Sequence, residues 1–139
     1  MTLKLLIAII ILPENQKREK IRGESAMPYI NVKTNVKVSP EKEEAIKKGL
    51  GLAITAIPGK SEGWLMVGIE DEFKLWFKGT NEPAAMVEVS IYGNASSNAL
   101  TTLTSHITGL LFDNLGISTD RIYVSYMSTQ DWGWNGSNF

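Results

Sequence analysis

The chain has 139 residues, which is enough for one domain of ordinary size and too few for two. Its formal net charge of −1, with 43% apolar and 21% charged residues, is typical of a soluble globular protein and gives no reason to expect binding to nucleic acid or to anionic membranes. Cysteine is absent from the sequence, which excludes disulfides, thiolate metal sites and a cysteine nucleophile.

The single histidine, His106, cannot build a multi-histidine metal site within one chain. A Ser-His-Asp triad would also have to use it. Because His106 lies in the middle of a helical pattern, we interpret it as an ordinary helix residue. We therefore expect neither a metal nor another cofactor.

The first 26 residues differ in composition from the rest of the chain. Leu5–Leu12 is an unbroken apolar run, but it is too short for a bilayer span, which needs about 20 residues. Lys4 before the run gives the order of charge and apolar residues found in signal peptides. A charged run at 14–20 follows, however, and Glu24 spoils the small-residue cleavage pattern. The segment is thus a poor signal or anchor.

A third interpretation is that translation begins at Met27. Codons for Arg22–Glu24 can contain AGGAG, the purine stretch that recruits bacterial ribosomes, a few nucleotides before the Met27 codon. We therefore predict that residues 1–27 are an N-terminal extension missing from the mature protein, with a signal-like or anchor-like segment as the alternative. Residues 28–139 are predicted to be the folded domain, in the cytoplasm or secreted without a conventional signal peptide.

The first predicted strand is Tyr29–Lys33, which alternates and contains β-branched residues. Ser39-Pro40-Glu41 predicts a helix start, because serine is a favoured N-cap, proline suits the first helical position and an acid favours the first turn. Pro58-Gly59 predicts the end of this helix. Its apolar face consists of Ile46, Leu50, Ala53, Ile54 and Ile57.

The remaining elements repeat this cycle. Strands are predicted at Trp64–Ile69, Ala85–Tyr92 and Ile122–Met127, with a further short strand at Phe73–Phe77. A second helix follows the loop at 93–98, and Gly116 suits a left-handed position after its end. The apolar stripe of that helix consists of Leu100, Leu103, Ile107, Leu110 and Leu111.

The order is therefore strand–helix–strand, twice over. It predicts an α+β fold in which two β-α-β repeats form a four-stranded sheet with two helices on one face. The strands carry enough apolar residues that the other face should also be covered, and the pattern offers no further helix for it. The natural cover is another copy of the same subunit.

An ordered series of short motifs runs through residues 27–139. It comprises Met27-Pro28 before a strand, Thr34-Asn35-Val36, Gly59-Lys60, Asn81-Glu82-Pro83-Ala84, Ser90-Ile91-Tyr92-Gly93, the stretch ISTDRIY at 117–123 and the tail GWNGSNF at 133–139. Each motif alone is weak, but the ordered set resembles the family of macrophage migration inhibitory factor and D-dopachrome tautomerase. The resemblance implies that family's fold of two β-α-β repeats assembled as a homotrimer, in agreement with the pattern.

The resemblance also implies a keto–enol tautomerase acting on phenylpyruvate- or dopachrome-like compounds, with Pro28 as general base and Lys60 beside it. Such chemistry needs a base with a pKa near neutral and groups that stabilise an enolate. A free α-amino group has an unperturbed pKa of about 7.7–8.0, and apolar surroundings and a nearby cation lower it. A prolyl nitrogen exposed by removal of Met27 would be such a base. Lys60 would supply the cation and attract the carboxylate of an acidic substrate.

Taken singly, both residues have ordinary explanations: Pro28 as a strand-edge proline and Lys60 as a solvated loop lysine. The family resemblance implies further substrate-binding residues around them. The backbone N–H of Tyr92 would bind the substrate, and the neighbouring subunit would contribute side chains, so that the trimer completes each site. The apolar wall would comprise Trp64, Trp134 and Phe139, and the neighbour's contribution Tyr123 and Ser125.

The sequence departs from the family at several of these positions. Ser125 stands where the mammalian cytokine has an asparagine, so an amide contact is shortened or lost. Ala84–Val87 replaces a Cys-x-x-Cys motif, so thiol oxidoreductase activity cannot carry over. Tyr92 and Trp132 are bulkier than the aliphatic residues at those places, which would narrow or reshape the pocket.

Two other functions are compatible with the sequence. The chain could be a secreted cytokine mimic that binds a host receptor and keeps a vestigial pocket. It could also be a trimeric domain held at a membrane by residues 1–26, with Pro28 acylated and inactive. For the enzyme, the predicted partners are an aromatic keto or enol acid and two further copies of the subunit, with no nucleic acid and no stable membrane span.

Overall fold

Two strand–helix–strand units follow one another in the computed structural model, which describes residues 27–139. The first unit consists of β1 (Pro28–Thr34), α1 (Pro40–Ala53) and β2 (Met66–Glu70). The second consists of β3 (Ala85–Tyr92), α2 (Ser97–Leu115) and β4 (Ile122–Thr129). The predicted repeat is confirmed, whereas the predictions for residues 1–26 lie outside the described range.

The four long strands form one mixed sheet in the order β2-β1-β3-β4. The pairs β1–β2 and β3–β4 are parallel, because each pair is joined by a crossover helix, and β1 and β3 join the two units as antiparallel neighbours. After β4 the chain forms a small hairpin of β5 (Gly133–Trp134) and β6 (Ser137–Asn138). This hairpin returns the chain end to Trp132, whose carbonyl accepts the Phe139 N–H at 3.0 Å.

The predicted start of α1 and the predicted end of α2 are confirmed. Ser39 caps α1 and Ser96 caps α2, each with its hydroxyl accepting a backbone N–H three residues later. Gly116 ends α2 in the left-handed region at φ 67°, and its N–H bonds to the Phe112 carbonyl. These groups satisfy backbone donors and acceptors that a helix end otherwise leaves unpaired.

Both helices pack on one face of the sheet, as predicted. Alternate strand residues such as Ile30, Val32 and Val89 point toward the helices and are fully buried. The core is completed from the helices by Ile46, Leu50, Leu103, Ile107 and Leu111. Complete burial of each such side chain contributes about 1.5–3 kcal/mol. Among residues 27–139, no helix is long and apolar enough to cross a membrane.

The structure corrects three element predictions. Helix α1 ends at Ala53, and a 3-10 turn, Ile54–Ala56, continues it. Strand β2 begins at Met66 because the preceding residues, Glu62–Trp64, form another 3-10 turn. The predicted strand over Phe73–Phe77 was wrong: within the described chain this stretch makes only an isolated bridge from Phe77 to Thr80. Its backbone is held instead by contacts with the end of β1, including a Phe73 N–H to Thr34 carbonyl bond of 2.9 Å.

The second face of the sheet carries no helix among residues 27–139, and it is less apolar than expected. Lys33 pairs with Glu88 at 3.0 Å across β1 and β3, and Asn31 donates to Glu70 at 2.8 Å. Apolar side chains lie mainly toward the two ends of this face, and at one end they line a shallow cavity of about 580 Å³. The apolar members of the face are Tyr29, Met66, Met86, Tyr123 and Met127.

Candidate active site

Pro28 is buried at the start of β1, where antiparallel pairing sets it opposite Ile91 at the end of β3. Tyr92 follows Ile91 and completes that strand. Its backbone N–H donates to the carbonyl of Met27 at 3.1 Å, and Met27 itself is only 4% exposed. In this form of the chain, the residue before Pro28 therefore occupies the Tyr92 N–H.

Lys60 approaches the same backbone from the other side. It follows the turn after α1, and its amino group donates to the Tyr92 carbonyl at 3.1 Å. The residue is 5% exposed, and this burial lowers the pKa of its amino group below the ordinary value of 10.5. Among residues 27–139, no carboxylate forms an ion pair with Lys60. A buried cation without a carboxylate partner is costly for folding, which is a common property of functional sites.

Aromatic side chains form a continuous wall that begins at the ring of Tyr92. The ring of Tyr92 lies 5.6 Å from that of Phe139, which stacks on Trp134 at 6.3 Å. Trp134 in turn meets Trp64 edge-to-face at 5.1 Å. The β5–β6 hairpin makes this possible, because its two-residue turn at Asn135 and Gly136 carries the chain end back to the sheet.

Two predicted site residues, Tyr123 and Ser125, lie away from Pro28 in the protomer. Tyr123 and Ser125 are exposed on β4, on the face of the sheet that carries no helix. Tyr123 pairs with Met86, five residues along β3 from Ile91, so it lies about 17 Å from Pro28 along the strand. Trp132 lines the shallow cavity at the Pro28 end of that face, and its carbonyl accepts the Phe139 N–H. Within one protomer, Pro28 and Lys60 thus both lie next to the backbone of Tyr92, whose ring begins the series of contacts through Phe139 and Trp134 to Trp64.

Two contacts at or near these residues were not foreseen from the sequence. One is the hydrogen bond from the Tyr92 N–H to the Met27 carbonyl. It follows from the antiparallel register of β1 on β3, which local sequence signals do not reveal. The other is Phe77, whose ring meets that of Tyr123 edge-to-face at 4.8 Å.

The helical prediction for His106 is confirmed, since it lies exposed on α2. Within the described residues, no three His, Cys, Asp or Glu side chains are grouped so that they could hold a metal ion.

Comparison with known proteins identifies the class. The family model for macrophage migration inhibitory factor matches residues 27–139, and the chain belongs to this family, which has the tautomerase superfamily fold. The superfamily is generally of the isomerase type.

Particular relatives support the assignment. The macrophage migration inhibitory factors of Meriones unguiculatus and Mus musculus are 32% and 31% identical over 115 residues, which cover 81% of this chain and 99% of theirs. Among solved structures, MIF2 of Leishmania major has a TM-score of 0.77 at 31% identity, covering 81% of this chain and 97% of that one. The homologue from Prochlorococcus marinus has a TM-score of 0.69 at 28% identity, with 80% and 98% covered.

Proposed function

We propose that the protein is a keto–enol tautomerase acting on phenylpyruvate- or dopachrome-like compounds, with the free N-terminal Pro28 as general base. The observation that carries the proposal is the convergence of Pro28, Lys60 and the backbone of Tyr92 at one end of the sheet. A base, a cation and an N–H donor beside an aromatic surface are the groups that enolisation of an aromatic keto acid needs.

The proposed reaction moves one proton between carbon and oxygen. The Pro28 nitrogen removes a proton from the carbon next to the keto carbonyl. The C–H electron pair forms the new carbon–carbon double bond, and the carbonyl π electrons move to oxygen. Protonated Pro28 then delivers the proton to that oxygen, which yields the enol and restores the free amine. The same steps in reverse return the keto form.

Lys60 is proposed to hold the carboxylate of the substrate. An ammonium group has three N–H donors, and the Tyr92 carbonyl uses one of them. Because the surroundings are largely desolvated, an ion pair formed here is screened less than one on the surface. The aromatic wall would pack against the ring of the substrate.

Retention of Met27 would block this site in two ways. The Pro28 nitrogen would be an amide, whose lone pair is delocalised into the carbonyl. The Met27 carbonyl would also keep the Tyr92 N–H, the group proposed to bind the substrate. Loss of residues 1–27 would therefore release the base and the donor together.

The active form is proposed to be a homotrimer. Tyr123 and Ser125 are too far from the Pro28 of their own protomer to share its site, yet both are exposed on β4. A neighbouring copy packed against the face of the sheet that carries no helix would receive them. The family resemblance supports three copies.

The experiment compares three proteins: one proven by intact mass to begin at Pro28, one that retains Met27, and Pro28→Gly beginning at residue 28. We expect phenylpyruvate turnover from the first and a rate lower by about a hundredfold or more from the form that retains Met27, because it has no free amine at residue 28 to act as general base. Pro28→Gly should show a smaller loss, because its primary amine is still a base but is no longer held by a ring. Titration with the keto acid should also show weaker binding when Met27 is present.

Comparable turnover from the form that retains Met27 would refute Pro28 as the base. The cytokine-like alternative would be favoured if the unmutated protein showed no turnover and Pro28→Gly bound a host receptor as tightly as the unmutated protein does.

A further inference from the structure

We propose that Arg121 and Phe77 are positioning residues that hold the ring of Tyr123 in the orientation in which it reaches a substrate in the neighbouring subunit's site. The inference rests on the proposed function for the role of Tyr123. The contacts that carry it lie within one protomer, at the opposite end of the sheet from Pro28.

Arg121 is a buried cation whose side chain donates its hydrogen bonds to backbone carbonyl oxygens. It is 9% exposed and donates to the carbonyls of Pro83 at 2.9 Å, Phe77 at 3.1 Å, Glu82 at 3.0 Å and Thr80 at 3.4 Å. No carboxylate among residues 27–139 forms an ion pair with it. The planar guanidinium, with five donors in a rigid fork, can gather several carbonyls in this way, whereas a lysine cannot.

Asn35 holds the same loop from the other side. Its amide nitrogen donates to the carbonyls of Leu75, Asn81 and Glu82, and its oxygen accepts the Ala84 N–H at 2.9 Å. The loop at 75–84 has almost no regular structure, so these two side chains supply the bonds that strands or helices would otherwise make. Its shape therefore depends on Arg121 and Asn35.

Phe77 is the residue that this shape places against Tyr123. A tight turn at Lys78 and Gly79, both with positive φ, returns the chain and leaves the Phe77 ring between the Arg121 guanidinium, 5.3 Å away, and the ring of Tyr123. The two rings are 4.8 Å apart at 89°, the edge-to-face geometry that aromatic pairs prefer. Tyr123 is 60% exposed on an edge strand and has no other ring contact among the described residues. Among the described residues, Phe77 is thus the one aromatic ring that restricts how the Tyr123 ring is oriented.

A double-mutant cycle tests this in protein that begins at Pro28. Phe77→Leu keeps an apolar side chain but removes the ring, and Phe112→Leu on the outer surface of α2 is the matched control. We expect Phe77→Leu to raise KM for phenylpyruvate about two- to tenfold, the range of an aromatic pair, with the acidic limb of the pH–rate profile unmoved. In a Tyr123→Ala background the same change should add nothing. Equal, independent losses in both backgrounds would overturn the proposal.

A second measurement does not depend on activity. Ring-labelled tyrosine gives four signals, one for each tyrosine, and the signal of Tyr123 can be assigned by Tyr123→Phe. We expect Phe77→Leu and Arg121→Lys to shift and broaden the Tyr123 signal while leaving Tyr126 unchanged, and Phe112→Leu to change neither. An unmoved Tyr123 signal in Phe77→Leu would refute the positioning role. Absence of turnover in the unmutated protein would refute the proposed function and leave this result readable.

Discussion

Lys60 is a single residue that is both buried and able to carry a charge. Burial lowers the pKa of its amino group, so the charged form is disfavoured by folding, yet the proposed function needs that form. Between the lowered pKa and 10.5 the unfolded chain binds more protons than the folded one, so Lys60 makes stability rise with pH in that window. A methionine of similar length removes this cost but also removes the hydrogen bond to the Tyr92 carbonyl, so the two effects oppose each other and Lys60→Met should change the melting temperature little.

The same variant predicts a loss of substrate affinity. Loss of one charge-assisted hydrogen bond costs about 1.5–3 kcal/mol, so Lys60→Met should lower kcat/KM for phenylpyruvate about ten- to a hundredfold, mainly through KM. In the unmutated protein, KM should begin to rise with pH below the ordinary lysine range, because the cation is lost there. The methyl ester of the keto acid is the control, because it has no carboxylate. Its kcat/KM should respond neither to Lys60→Met nor to the loss of the Lys60 charge at high pH. An unchanged kcat/KM would remove Lys60 from the site.

Trp134 closes the aromatic wall between Trp64 and Phe139. Trp134→Ala would admit water, so we expect weaker binding of aromatic substrates and a higher pKa for the free Pro28 amine. The acidic limb of the pH–rate profile should move to higher pH, whereas Trp76→Ala, an exposed tryptophan outside the wall, should leave it in place. If the limb stays where it is in Trp134→Ala, that residue only packs the chain terminus.

At the scale of single elements, helix α2 offers two glycines with opposite expectations. Gly116 ends the helix at φ 67°, where a side chain costs about 1–2 kcal/mol, so Gly116→Ala should destabilise the protein. Gly109 lies inside the helix with open space around its Cα, so Gly109→Ala should stabilise it by about 0.5–1 kcal/mol. Urea unfolding at equal protein concentration measures both. Destabilisation by Gly109→Ala would mean that a contact from another chain fills that space.

At the scale of the whole molecule, the proposed sharing of sites between copies makes a sharp prediction. Pro28→Gly impairs the base of a protomer's own site, because it replaces the ring-held amine by a flexible one, and Tyr123→Ala removes the residue that a protomer lends to its neighbour. A homotrimer of either variant alone should be impaired. When equal amounts of the two variants assemble at random into mixed trimers, about a quarter of the sites would combine an intact Pro28 with an intact Tyr123. Light scattering should give the mass of three chains. No recovery of activity in the mixed trimers, or a stable monomer at micromolar concentration, would refute shared sites.

Much of the fold could be predicted because its signals are local. Ser39-Pro40 and Gly116 mark helix ends through the conformations of a few neighbouring residues, and β3 was predicted with the bounds observed. The one strand that was predicted wrongly also has a physical explanation. Phe73–Phe77 is rich in aromatic residues, as strands are, but a strand needs a partner, and among the described residues the backbone of Phe73 bonds to the end of β1 instead.

The sequence alone determined the repeat of two β-α-β units, the apolar faces that form the core and, through its resemblance to the family, the residue types of the site. Which of those residues meet depends on the tertiary structure. It set the register of β1 on β3, and with it the approach of Met27 and Lys60 to the backbone of Tyr92. It also separated Tyr123 from Pro28 by the length of a strand and placed Phe77 against it. Sequence periodicity assigns a side chain to a face, but distances between elements depend on pairing and loop paths that are long-range, and these exist only once the chain is folded.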